Sequence, residues 1–176
     1  LAGDEWLALL SPPERVVCVS TFADDTSLSN MAGFYPASVA RRVARLEPVI
    51  GRMPDLVLAA PWNDQEFVRA LQRGGIASLM LEDVRDFAAI RAQALTLGAR
   101  LEQANRARQV VETLDAELAA IDRAVAGATT QSPRVLATSH LVVAGSGTTV
   151  DALIRRAGAI NVAAAAGLSG HTQVSL

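Results

Sequence analysis

Lysine is missing: all 16 basic residues of this 176-residue chain are arginine. That excludes a Schiff-base lysine and the lysine of a phosphate-binding P-loop. Cysteine occurs once, at Cys18, inside the apolar run Val16-Val17-Cys18-Val19. An internal disulfide is therefore excluded, and the thiol reads as a small buried hydrophobe. Histidine occurs only at His140 and His171, with no cysteine or carboxylate cluster beside either, so zinc-ligand spacing is not met. Aromatics are scarce, with four Phe, two Trp and one Tyr, which makes each exposed ring informative. No apolar run reaches the roughly 18 residues of a membrane-spanning helix. The net charge is −2 and no basic cluster is interleaved with aromatics, so no nucleic-acid partner is expected.

Catalytic constellations are also absent. No Ser–His–Asp or Cys–His arrangement is legible, and Asp24 and Asp25, though adjacent, read as solvated loop carboxylates. The expectation is a protein that is not an enzyme. The start at Leu1, without methionine, reads as that of a processed or trimmed chain.

What is present is an α/β alternation. Residues 15–20, 55–60 and 76–81 are short, apolar and rich in branched side chains. Such runs suit strands of a parallel sheet covered on both faces. Helices are expected between and before them, over 4–10, 47–53 and 64–73, the last closed by Gly74-Gly75. From about Asp83 the pattern becomes helical. Ala107, Val111, Leu114, Leu118, Ile121 and Val125 recur at steps of four and three, which predicts one long helix over 102–126. A strand at 134–139 and a helix over 148–157, with Gly158 as its stop, then open a further α/β unit. One strand and one helix cannot bury a sheet, so this second lobe is expected to be incomplete. The predicted organisation is an N-terminal α/β lobe (1–82), a helical segment (83–127) and the start of a C-terminal α/β lobe (128–176).

Several strings then line up in order. Residues 9–17, Leu-Leu-Ser-Pro-Pro-Glu-Arg-Val-Val, precede the first strand. Phe22-Ala23-Asp24-Asp25 and Ser29-Asn30 follow it. Met53-Pro54-Asp55-Leu56-Val57-Leu58-Ala59 enters the next strand, and Arg73-Gly74-Gly75-Ile76 the one after. Gly147-Thr148-Thr149-Val150-Asp151 and Ala157-Gly158-Ala159-Ile160-Asn161-Val162 close the series, with Ala159 where a second glycine is usual. Together they resemble the periplasmic substrate-binding proteins of ABC importers that capture cobalamin, haem or iron–siderophores.

The resemblance implies two Rossmann-like lobes joined by a long α-helix, with a metal-chelate ligand held between them and delivered to a membrane permease. It implies a monomer that works in the periplasm or anchored outside the cytoplasmic membrane. No resident cofactor is expected, since haem, cobalamin or a ferric siderophore would be cargo. At the ligand it implies Trp62, just after a strand, where an indole can stack on a flat chelator. It also implies Tyr35 in a Tyr-Pro pair, His140 after a strand, His171 near the end, and Arg41 within the basic stretch Arg41, Arg42 and Arg45. Glu66 has the spacing of a carboxylate that docks on permease arginines. Two other readings stay open. A nucleotide-dependent α/β enzyme would use the Gly145–Thr149 turn for phosphate, although neither GxGxxG nor the P-loop pattern is satisfied. A helical dimerisation module would use residues 102–126.

Overall fold

The computed structural model describes residues 1–42, 46–128 and 131–175. The chain divides into two compact units, Leu1–Asp83 with Thr96–Ala107 and Val84–Leu95 with Arg108–Leu176. The residues expected as a separate helical segment are thus shared out between the two units.

The first unit opens with α1 (Ala2–Leu10), then β1 (Cys18–Ser20) and β2 (Ala40–Arg42). α2 (Leu46–Ile50), β3 (Leu56–Ala59), α3 (Gln65–Arg73) and β4 (Ala77–Met80) follow. β1 and β2 pair in parallel with Cys18 opposite Ala40, and β3 and β4 pair in parallel with Leu56 opposite Ala77. Between residues 16–18 and 56–58 lies a hollow of about 230 Å³. Ala8, Val16, Val19, Ala23, Tyr35 and Val39 form one buried cluster, flanked by Leu7 and Met31.

Local chemistry accounts for most boundaries. Asp64 caps α3 by accepting from the Glu66 amide at 2.8 Å, and Gly75 (φ +74) lets the chain reverse after it. α2 stops at Ile50, short of the expected Met53. Met53 precedes Pro54, whose ring disfavours helical backbone in the residue before it, and Met53 adopts φ +45 instead. The expected first strand also starts late. Arg15 belongs to a 3-10 turn over Pro13–Arg15, and ladder pairing begins only at Cys18. β2 has no sequence signal, because Ala-Arg-Arg is neither apolar nor β-branched. Its pairing with β1 alone makes it a strand.

α4 (Phe87–Arg100) and α5 (Ala104–Ala126) are continuous helices. α5 starts two residues later than expected because Glu102 has φ +59. Part of its apolar stripe is covered within its own unit: Leu118 is buried and Val125 lies against Gly158, while Ile121 stays 42% exposed. Asp115 pairs with Arg91, and Asp122 pairs with Arg156 at 2.6 Å.

The second unit is richer than the single strand and helix expected. β5 (Arg134–Val135) pairs in parallel with β8 (Ile160–Asn161). β6 (Thr138–Ser139), β7 (Val142–Ala144) and β9 (His171–Gln173) make an antiparallel sheet in the order β6-β7-β9. The predicted strand 134–139 is therefore two strands in two sheets, broken at Leu136-Ala137. α6 (Thr149–Arg156) and α7 (Val162–Ala165) complete the unit. The buried polar centre is self-satisfied: Asn161 donates to Asp151 at 3.0 Å and to the Ala144 carbonyl at 2.9 Å. Among the described residues no helix is long and apolar enough to cross a membrane.

Candidate functional site

In a parallel α/β arrangement, the loops after the strands carry the groups that meet a ligand. In the first unit these loops follow β1 and β3. After β3 the Ala60 amide donates to the Asn63 side chain at 2.7 Å, and the Asn63 amide donates back to the Ala60 carbonyl at 2.9 Å. This closed turn fixes the backbone and pushes Trp62 outward, 71% exposed. After β1 the Ser20 amide and hydroxyl both donate to the Asp4 carboxylate, at 3.0 and 2.6 Å. Ser20, Ala60, Trp62, Asn63 and Phe67 line one hollow of about 150 Å³. Glu66 is exposed in the first turn of α3, four residues after Trp62 in sequence.

Tyr35 lies elsewhere. It is 3% exposed, its hydroxyl donates to the Asp4 main-chain carbonyl, and Phe34 packs edge-on against its ring. A ligand reaching that hydroxyl would have to displace the Asp4 bond. Burial, reinforced by the Asp4 charge and only partly opposed by Arg41, pushes the phenol well above its ordinary range. The folded protein thus holds this proton where the unfolded chain, titrating near about pH 10, would release it. The sign follows: Tyr35 leaves stability unchanged below about pH 10 and lowers it progressively above. Because Tyr35 is the sole tyrosine, tyrosinate absorbance reports it alone. The native chain should titrate above the urea-unfolded chain, and coincident midpoints would show that the hydroxyl is hydrated.

Arg41 is likewise engaged. It grips Asp24 with two donors, at 2.7 and 3.0 Å, and donates to the carbonyls of Tyr35 (2.7 Å), Pro36 (2.8 Å) and Val39. These bonds hold the Asp24 carboxyl below the usual carboxylate range. They tie the loop before β2 to the turn after β1. Arg45 and the Arg42 side chain lie outside the described residues.

The two histidines belong to the second unit. His140 occupies the two-residue turn between β6 and β7, is exposed, and has φ +54. His171 is exposed on β9 opposite Ala144, so the sheet places the two at opposite ends of β7. Among the described residues no group of three His, Cys, Asp or Glu side chains could hold a metal ion.

A family model for periplasmic binding proteins matches residues 1–176. The chain belongs to the periplasmic binding protein family. Three solved structures illustrate the likeness. One, from Staphylococcus epidermidis, is described as a possible iron-binding, periplasmic solute-binding protein. It is 18% identical with a TM-score of 0.82, over 98% of this chain and 67% of its own. The apo form of a periplasmic haem-binding protein from Roseiflexus is 25% identical with a TM-score of 0.76, over 98% and 66%. A periplasmic haem-binding protein from Pseudomonas aeruginosa is 25% identical with a TM-score of 0.78, over 97% and 62%. The chain spans about two thirds of the length of these proteins. No curated protein matches it.

Membership settles the fold class as the two-lobed α/β architecture with a long helix, and the family is one of binding proteins, not enzymes. The glycine-rich turn is closed by backbone hydrogen bonds. The Gly145 amide donates to the Gly170 carbonyl at 2.8 Å and the Ser146 amide to the Leu168 carbonyl at 2.9 Å. Thr148 caps α6 by accepting from Asp151 at 3.1 Å, and the buried Asp151 carboxylate sits in that first turn. The Gly145, Ser146 and Asp151 amides are thus engaged within the unit, and an acidic side chain stands in the first turn of α6, which disfavours a phosphate there.

Phe22, which the sequence offers only as part of the string Phe22-Ala23-Asp24-Asp25, is also exposed after a strand. It stands two residues past the end of β1 and is 53% exposed. Its position after a strand, in a chain so poor in aromatics, was the available signal.

Proposed function

We propose that this chain is the ligand-capturing component of an ABC importer for a flat metal chelate of the haem class, working outside the cytoplasmic membrane as a monomer. The observation that carries the reading is the family match over residues 1–176, joined by two haem-binding neighbours at 25% identity. Trp62 is the proposed stacking contact, since an indole offers a large flat face and this one is open to solvent. His140 and His171 are proposed as further contacts, both exposed, the first in the turn between β6 and β7 and the second on β9. Tyr35 and Arg41 are reassigned from ligand contacts to groups that hold the loop before β2, because their polar atoms are bonded to the protein itself. Glu66 is the proposed contact for a basic permease surface.

Titration with haem, followed by its visible absorbance, tests the assignment. Binding should saturate at one equivalent per chain, and Trp62→Ala should weaken it by about fivefold to tenfold. A visible or thermal response to cobalamin or a ferric siderophore, with none to haem, would move the ligand to that class. Silence toward all three would end the importer reading.

A further inference from the structure

Of the seven aromatic residues, only Phe22 and Trp62 are more than half exposed, at 53% and 71%. Both belong to the first unit, and both come within three residues of the C-terminal end of a parallel strand, β1 or β3. Ser20, the last residue of β1, lines the same hollow as Trp62. Phe22 follows, two residues on, a strand end that lines the same hollow as Trp62. Covering such an exposed ring with an apolar face gains burial free energy.

Phe22 is also not left to wander. Its amide donates to the Ser20 hydroxyl at 3.2 Å, which caps the 3-10 turn Thr21–Asp24. Ser20 is held in turn by the Asp4 carboxylate through two bonds, and Asp4 is 7% exposed. Further along the same turn Asp24 is clamped by Arg41. The backbone that carries an exposed phenyl ring is thus anchored at both ends to buried or charge-paired groups. Preorganisation of this kind lowers the entropy lost when a ring is covered.

We propose that Phe22 is a second aromatic contact for the ligand and that Ser20, fixed by Asp4, is its positioning residue. The ligand chemistry implied is a rigid, conjugated, roughly planar ring. Such a face gains from two aromatic neighbours, whereas a small hydrated anion does not. This inference rests on the chelate-binding reading above and deepens it.

The test compares haem with metal-free protoporphyrin as probes, on wild type, Phe22→Ala, Phe22→Tyr, Ser20→Ala and the Phe22→Ala/Ser20→Ala pair. Contact through the ring predicts that Phe22→Ala weakens both porphyrins by a similar factor, about fivefold, with the thermal midpoint and circular dichroism unchanged. Phe22→Tyr should restore binding. Ser20→Ala should weaken it less, and the double variant should be no weaker than Phe22→Ala alone, because the hydroxyl acts only through the ring. Wild-type affinity in Phe22→Ala, alongside weakened Trp62→Ala, would overturn the Phe22 contact and leave the haem reading standing. Additive losses in the double variant would overturn the positioning role. If wild type binds neither porphyrin, the haem reading and this contact fall together. Should Ser20→Ala misfold, Phe22→Ala against Phe22→Tyr still decides the contact.

Discussion

Gly145→Ala should destabilise the second unit by about 3 kcal/mol. A methyl group at Gly145 would stand 2.3 Å from the Leu168 carbonyl oxygen, 2.5 Å from its carbon and 2.9 Å from the Ser169 nitrogen. All three obstacles are main chain, so no rotamer change relieves them. The obstructing segment is itself pinned: Ser146 donates to Leu168, Gly170 donates back to Ser146 at 2.8 Å, and Ser146 bridges Ser169. Relief requires those bonds to open, which exposes the edge of β7 and loosens the start of α6. Native-state hydrogen exchange is the suitable measurement, because both tryptophans lie in the first unit. Amides of β7 and α6 should lose protection while those of α3 keep theirs. A change below about 0.5 kcal/mol would mean that the Leu168 segment yields freely.

The second large effect is expected in the first unit. Leu71 on α3 is fully buried, at 0% exposure. Leu71→Ala removes its transfer free energy and leaves a cavity, a loss of about 2–5 kcal/mol. Leu71→Met, close in volume, should cost under about 1.5 kcal/mol. Trp6 and Trp62 make tryptophan fluorescence in urea a reporter of this unit. The alanine variant should lower the midpoint clearly and leave the slope nearly unchanged. An alanine variant as stable as wild type would show that α3 can collapse onto β4 without loss.

α3 also bears on the proposed ligand contact. Its N-terminal cap, Asp64, is two residues from Trp62, so loosening the helix should blur the turn that presents the indole. Leu71→Ala is therefore expected to weaken porphyrin binding at temperatures near its lowered midpoint and to match wild type well below it. That temperature dependence separates a support role from direct contact.

Some of this is legible in the sequence. α3 falls within one residue of its expected span because its helix period, its cap and its glycine stop agree with one another. β3 and β4 are continuous apolar runs bounded by proline and glycine signals, and they pair where that pattern leads. The helix 104–126 was announced by its apolar stripe, and α6 begins one residue after the start expected at 148. The ordered strings across the chain pointed to the family that the family model then matched.

What the sequence determined by itself was therefore the local elements with strong periodicity or caps, and through its motifs the family. Only tertiary structure decided β2, the hairpin β6–β7 and the split of 134–139, because two- and three-residue strands carry no period and exist only through distant partners. It likewise decided which polar groups are occupied. Tyr35 is bonded to a carbonyl 31 residues away and Arg41 to a carboxylate 17 residues away, while Trp62 and Phe22 stay in solvent. The physical reason is common to all of these. Periodicity and capping act within a few residues, but burial and hydrogen-bond satisfaction depend on which segments the fold brings together.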